Sequence, residues 1–170
     1  MCSPEEAHGA GLRQAIADSI EELRPWMPWA QSVPTLAEAK ANCRNAATEF
    51  EKGSDHRLHL FLKEPLSFIG SSGLHGIDWS VPKVEIGYWI RTPYSGKGYM
   101  TEAVREITRF AMEDLGMNRV EIQMSSNNVK SRAVAERLGF AFEGMLRNEI
   151  RHVDGTLRDT CIYARVPEVR

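Results

Sequence analysis

Apolar residues along this chain recur with two periods, and the switches between them outline its elements. From Leu12, the positions Ala15, Ile16, Ser19, Ile20 and Leu23 keep helical spacing and predict a helix over residues 12–24, stopped by Pro25. Thr35 is a natural N-cap, and Glu38 completes a capping box for a second helix over residues 36–52 that ends at Gly53. Three strand patterns follow, at residues 58–63, 68–75 and 84–91, with turns at Lys63-Glu64-Pro65 and from Asp78 to Pro82. They predict an antiparallel meander. The best amphipathic helix starts after Gly98, with Met100, Ala103, Val104, Ile107, Phe110, Ala111 and Leu115 on one face and Glu102, Arg105, Glu106 and Arg109 opposite. It closes at Gly116. A short strand (119–124), a polar turn, a helix (129–138) ending at Gly139, and two closing strands (140–150 and 160–166) joined at Asp154-Gly155 complete the chain. The expected class is mixed α/β (α+β), a mostly antiparallel twisted sheet flanked by helices.

Length and charge narrow the function classes. With 170 residues the chain is expected to form one domain, residues 1–170, with a core that needs neither disulfides nor metal. A net charge of −2 lacks the global electrostatic footprint of a nucleic-acid binder. No apolar run is long enough to span a bilayer, and none near Met1 reads as a signal peptide. Cys2, Cys43 and Cys161 are odd in number and far apart, which fits a reducing cytoplasm better than a disulfide framework.

Candidate chemistry concentrates between Glu85 and Met100. A strand-like run breaks at Thr92-Pro93, passes Gly96-Lys97-Gly98 and launches the amphipathic helix. Such a strand, glycine turn and helix start present free backbone N–H groups at the positive end of a helix dipole, an anion site. Two familiar phosphate motifs fail here. A Walker A loop needs Ser or Thr after Lys97, where Gly98 stands, and the dinucleotide fingerprint needs a third glycine where Thr101 stands. A tight turn that merely joins strand to helix is the competing reading.

Joined with later segments, the pattern becomes specific. Glu-Ile-Gly-Tyr-Trp-Ile from Glu85, Ser-Gly-Lys-Gly-Tyr-Met from Ser95, and Asn128-Val-Lys-Ser131 leading to Glu-Arg-Leu-Gly-Phe together resemble the GNAT acetyltransferase superfamily, and within it the RimJ/RimL type that acetylates N-termini of ribosomal proteins. Leu23-Arg-Pro-Trp-Met-Pro-Trp-Ala30 matches the same branch, and the resemblance runs over about residues 12–166. The family's phosphate loop usually begins with Gln or Arg and ends in Gly or Ala; Ser95 and Met100 stand there, the methionine being common in the RimJ/RimL branch. Family members usually carry a strand before the first helix. Residues 1–11 are not strand-like, so this edge strand is expected to be missing or to start late.

The resemblance implies acetyl-CoA as cofactor and an amine acceptor, either a protein N-terminus or a small molecule. Charge and hydropathy give the expectation of no direct nucleic-acid or membrane partner, and the resemblance raises a homodimer, since dimers are frequent among relatives. The N–H groups from Gly96 to Met100, with Ser95, Lys97 and Tyr99 beside them, would hold the pyrophosphate. The strand end at Trp89, Ile90 and Arg91 would pair with the pantetheine arm where the neighbouring strand splays away. The Trp89 N–H would face the thioester oxygen, a kind of donor worth about 3 kcal/mol in acyl transfer. Glu85, a carboxylate in an otherwise apolar strand, is the candidate general base; a surface-facing glutamate is the plain alternative. Asn128 is a natural helix cap and a candidate contact to pantetheine. Ser131, one turn on, is the candidate donor to the leaving sulfur, or an ordinary first-turn serine. No tyrosine lies between Ser125 and Leu138, where many relatives carry their acid. Trp26 and Trp29 read either as a core plug or as one wall of a substrate groove, His75 as a groove residue or a strand end. Cys161 reads as core, and His56 with His59 lacks a third metal ligand. A non-catalytic CoA-binding module is the alternative to an enzyme.

Overall fold

The computed structural model describes residues 1–152 and 154–167. Six strands, β1 (His56–Leu62), β2 (Ser67–Asp78), β3 (Lys83–Ile90), β4 (Arg119–Ser125), β5 (Ala141–Arg151) and β6 (Leu157–Arg165), form one sheet in the order β1-β2-β3-β4-β6-β5. Every neighbouring pair is antiparallel except β3 and β4. That parallel pair needs a crossover, and α4 (Tyr99–Arg109) supplies it. On the other side lie α1 (Gly9–Ala17), the short α2 (Ile20–Leu23) and α3 (Leu36–Lys52), while α5 (Val129–Arg137) follows β4. No helix among the described residues is long and apolar enough to cross a membrane.

Each face of the sheet has its own core. Met100, Ala103, Val104, Ile107 and Ala111 pack with Ile86, Val120, Ile122 and Tyr163 and with Val134 and Ala135 of α5. Leu12, Ala15 and Ile16 of α1 pack with Ala39 and Cys43 of α3 against Phe68, with Trp89 at the margin. Thr35 caps α3 with the expected box: its Oγ1 accepts the Glu38 N–H at 3.2 Å, and Glu38 accepts the Thr35 N–H at 2.7 Å. Gly53, at φ 69°, ends the helix in the left-handed region.

Two expectations need correction. The first helix is not continuous over 12–24: it begins at Gly9 and breaks at Asp18-Ser19, before α2. The break is held by the next layer, because Asp18 binds the Arg91 guanidinium and Ser19 Oγ accepts the Thr92 N–H at 2.8 Å. The amphipathic helix does not run unchanged to Gly116. It widens at residues 110–114 into a turn in which the Leu115 N–H donates to the Phe110 carbonyl at 3.1 Å. Phe110, which opens that turn, is exposed at the edge of the apolar stripe, while Thr101 and Thr108 are buried on its other flank. The missing edge strand is reduced to one bridge: Cys2 exchanges both backbone hydrogen bonds with His59, at 3.1 and 2.9 Å.

Candidate active site

β3 and β4 share only three pairs, from Lys83↔Arg119 to Glu85↔Glu121, before parting. β3 then follows β2 to Ile90 while β4 follows β6, and the gap opens into a groove of about 1530 Å³. Both Glu85 and Ser131 line it, with His75, Trp89, Gly96, Gly98, Asn128 and Arg137.

Backbone register decides which groups of β3 face the gap. The Arg91 N–H donates to the Ile69 carbonyl at 2.7 Å, and the register is unbroken from Gly70↔Ile90 to His75↔Glu85. Antiparallel alternation therefore directs the N–H and C=O of Gly87 and Trp89 toward β2, and those of Tyr88 and Ile90 toward the gap. In keeping with this, a Cβ on Gly70 would lie 2.4 Å from the Trp89 carbonyl oxygen. The expected Trp89 donor is thus turned away. Tyr88 and Ile90 hold the open positions, and Trp89 contributes its indole, edge-on to Trp29 with ring centres 5.8 Å apart. Arg91 is also committed elsewhere. Its guanidinium holds Asp18 at 2.5 Å and its carbonyl accepts the Tyr94 N–H at 2.9 Å.

The glycine loop does present a free helix end. No side chain caps α4, and the N–H groups of residues 96–101 make no hydrogen bond among the described residues. Gly96 and Gly98 sit at φ 75° and 85°, where a side chain would strain the backbone, and no atom lies within 4 Å of a Cβ placed on either. Lys97 is exposed and rests over the Tyr94 ring at 5.6 Å, with Tyr99 edge-on to Tyr94. Met100 points into the core, so only its N–H belongs to the loop. Arg137 of α5 reaches Thr101 Oγ1 at 3.4 Å, adding a second cation at this helix end. As a cation in the last turn of a helix, Arg137 carried no sequence signal beyond dipole complementarity.

Ser131 and Asn128 meet at the start of α5, where Asn128 Oδ1 accepts the Ser131 N–H at 3.1 Å. Ser131 Oγ lies 3.0 Å from the Tyr88 hydroxyl, which also donates to the Ser131 carbonyl at 3.1 Å. Burial pushes the Tyr88 phenol up to about 12, with the Ser131 hydrogen bond opposing the shift. A tyrosine of β3 thus stands against the first turn of α5. Its signal was present in the sequence: in the alternating face Val84, Ile86, Tyr88, Ile90, only Tyr88 carries a polar tip that burial must satisfy.

Glu85 is half-buried on the opposite face of β3. Burial raises its carboxyl above the ordinary glutamate range; His75 opposes the shift, while the charges of Glu121 and Glu149 add to it. Glu149 reaches this neighbourhood through a bulge at Asn148, φ 53°, and accepts from Thr160 Oγ1 at 2.9 Å. Two buried hydroxyls at the groove, Thr92 Oγ1 and Ser125 Oγ, have no partner among the described residues. The Trp26–Trp29 loop forms a wall of the groove and is pinned from behind. The Pro25 carbonyl accepts from His152 Nε2 at 2.6 Å and from Arg158 at 2.8 Å, and Arg158 lies over the Trp26 ring.

A mostly antiparallel sheet parting at one parallel pair, beside an uncapped helix end, defines a mixed α/β fold built to hold an extended anionic ligand. The chain belongs to the GNAT acetyltransferase family: the model of the acetyltransferase (GNAT) domain matches residues 4–141. Among curated relatives, YdaF of Bacillus subtilis, provisionally named a ribosomal N-acetyltransferase, is 43% identical over 98 residues, 58% of this chain. The match spans only about half of YdaF's own length, 53%. YjcK of the same species, provisionally named an N-acetyltransferase, is 30% identical over 91% of this chain and 84% of its own. The solved structure of RimL, a ribosomal L7/L12 α-N-protein acetyltransferase in complex with coenzyme A, superposes with a TM-score of 0.90 over 99% of this chain and 94% of its own, at 21% identity. The fold is that of the GNAT enzymes.

Proposed function

We propose that this chain is an acetyl-CoA-dependent N-acetyltransferase that acts on a primary amine by direct attack in a ternary complex, the acceptor being a protein N-terminus. One observation carries the reading: the unpaired N–H groups at the start of α4 adjoin the gap between β3 and β4, with a half-buried carboxylate, Glu85, beside it. The residues present fit the cofactor. The free N–H groups, the two left-handed glycines, Lys97 and Arg137 suit a pyrophosphate, and the gap-facing groups of Tyr88 and Ile90 suit an extended amide chain added along β3. Asn128, Thr92 and Ser125 offer further polar contacts.

When bound, the coenzyme supplies the acetyl group as an activated thioester. The chain's own residues do the rest. Glu85, directly or through a water, takes the proton of the attacking amine, and its raised carboxyl keeps it an effective base near neutral pH. A gap-facing N–H of Tyr88 or Ile90 is placed to receive charge developing on the carbonyl oxygen. Ser131, held by Tyr88, is placed to give a proton to the departing sulfur. For the acceptor, support comes from relatives named for ribosomal proteins and from a groove lined by Trp26, Trp29 and Trp89. Release of free thiol from acetyl-CoA, measured with a panel of amines and with peptides beginning in Ser or Ala, tests the reading. Turnover with the peptides is the expected result. Binding of acetyl-CoA without turnover would instead identify a non-catalytic module.

A further inference from the structure

Side chains of four titratable residues stand in one row across the sheet. His75 and Glu85 are directly opposed in β2 and β3, and Glu85 is directly opposed to Glu121 in β4. Extending the register of His56↔Leu74 places Asp55, one residue before β1, opposite His75. Opposed residues share a sheet face, so the order is Asp55, His75, Glu85, Glu121. The outer acid, Glu121, is paired with Arg119, which also binds Glu143. The other three are differently arranged. Asp55 Oδ2 lies 2.5 Å from His75 Nδ1, and Asp55 Oδ1 is buried without a partner among the described residues. Gly87 provides the room: a Cβ there would lie 2.9 Å from His75 Cδ2 and 3.1 Å from Nε2. The ring therefore lies over Gly87 on the face that carries Glu85 and Trp89, and His75 lines the groove.

We propose that Asp55 and His75 form the terminal station of a proton relay that begins at Glu85. The inference rests on the acetyl-transfer reading and deepens it. Asp55, facing Nδ1, is what favours a proton on His75; it does so against Glu121 and Glu149, whose charges favour the protonated form of Glu85, and against Arg57, whose charge acts on Asp55. With Asp55 accepting from Nδ1–H, the lone pair of His75 is fixed at Nε2, toward the groove. No direct hydrogen bond joins His75 to Glu85 among the described residues, so transfer runs through a water. In the balanced step, the amine nitrogen bonds to the acetyl carbon and the carbon–sulfur bond breaks. The amine proton passes by Glu85 to His75 Nε2, whose new charge faces Asp55. The sulfur takes its proton from Ser131, which is reprotonated from solvent as His75 returns its proton there.

The test is steady-state kinetics of the whole chain with acetyl-CoA and an accepted amine. His75→Gln is expected to lower kcat by about 10²-fold, the usual share of a proton-transfer group, with the KM for acetyl-CoA unchanged within about twofold. Asp55→Asn should lower kcat less, by about tenfold, and the double variant should be no slower than His75→Gln, because the pair acts as one unit. Long-range ¹⁵N correlation should show the Nδ1–H tautomer at His75 in the wild type and its loss in Asp55→Asn. Gly87→Ala, which crowds the His75 ring while leaving Asp55, His75 and Glu85 in the sequence, serves as a second variant if His75→Gln does not fold, and should reproduce its loss of kcat. Wild-type kcat in His75→Gln or Gly87→Ala overturns the relay and leaves the acetyltransferase reading standing. A wild-type chain that binds acetyl-CoA yet transfers to no amine overturns that reading and the relay with it.

Discussion

The two sides of the groove are made of different material. The side proposed for the cofactor is mostly backbone: free N–H groups at the start of α4, two left-handed glycines, and the gap-facing edge of β3. The side proposed for the acceptor is mostly side chain: Glu85, His75 and Asp55 in a row, and the tryptophans of a loop pinned by Arg158 and His152. A backbone site fails only when its geometry is blocked, and it is indifferent to pH. A side-chain site fails one group at a time, and it titrates.

The largest effect should come from blocking the backbone side. Gly98→Glu puts a side chain at φ 85° and a negative charge into the space before the helix end. Turnover at limiting acetyl-CoA should fall on the order of 10³-fold, and a variant with near-normal kcat/KM would break the contrast.

On the acceptor side, Glu85→Gln should lower kcat by about 10²-fold. The carboxyl is raised by burial, so the wild-type rate should increase with pH along a limb lying above the ordinary glutamate range, as the base form appears. That limb should vanish from the pH–rate profile of Glu85→Gln. An unchanged limb would remove Glu85 from the chemistry. Tyr88→Phe should have a smaller effect, about fivefold on kcat, the scale of one lost hydrogen bond to Ser131. The discriminating comparison uses acyl thioesters of differing thiol acidity: the deficit should grow as the leaving thiol becomes less acidic.

The smallest effect concerns stability under the acceptor side. His59 is buried against Phe68 and His8, and burial, with the charges of His8 and Arg57 adding, lowers its pKa from 6.5 to about 3. Between these values the unfolded chain binds a proton that the folded chain refuses, so stability is full above about pH 6.5 and falls as the pH drops toward 3. At pH 5 the loss is about 2 kcal/mol, or roughly 5 °C in Tm. Thermal melts at pH 7.5 and 5 should show this drop shrinking in His59→Gln. An identical drop would place the titration elsewhere.

The same contrast explains what could be read from the sequence. The glycine loop, Thr35 with Glu38, and the terminating Gly53 are local rules, each satisfied within a few residues, and the structure follows them. The meander and the crossover helix were legible because alternation and amphipathic spacing are also local. What escaped was set by distant partners. The break at Asp18-Ser19 answers to Arg91 and Thr92, 73 residues away. Tyr88 meets Ser131 across 43 residues, and His75 meets Asp55 across 20. The direction of the Trp89 N–H depends on pairing with β2, which strand alternation alone does not fix. The widened turn at residues 110–114 is likewise a departure invisible to any fixed period.

Calorimetric titration of acetyl-CoA into Gly98→Glu and Glu85→Gln, beside the wild type, tests most directly whether the two sides are separate. The account predicts wild-type affinity in Glu85→Gln, which also loses turnover, and no measurable binding in Gly98→Glu. Wild-type binding by Gly98→Glu, or loss of binding in Glu85→Gln, would contradict it.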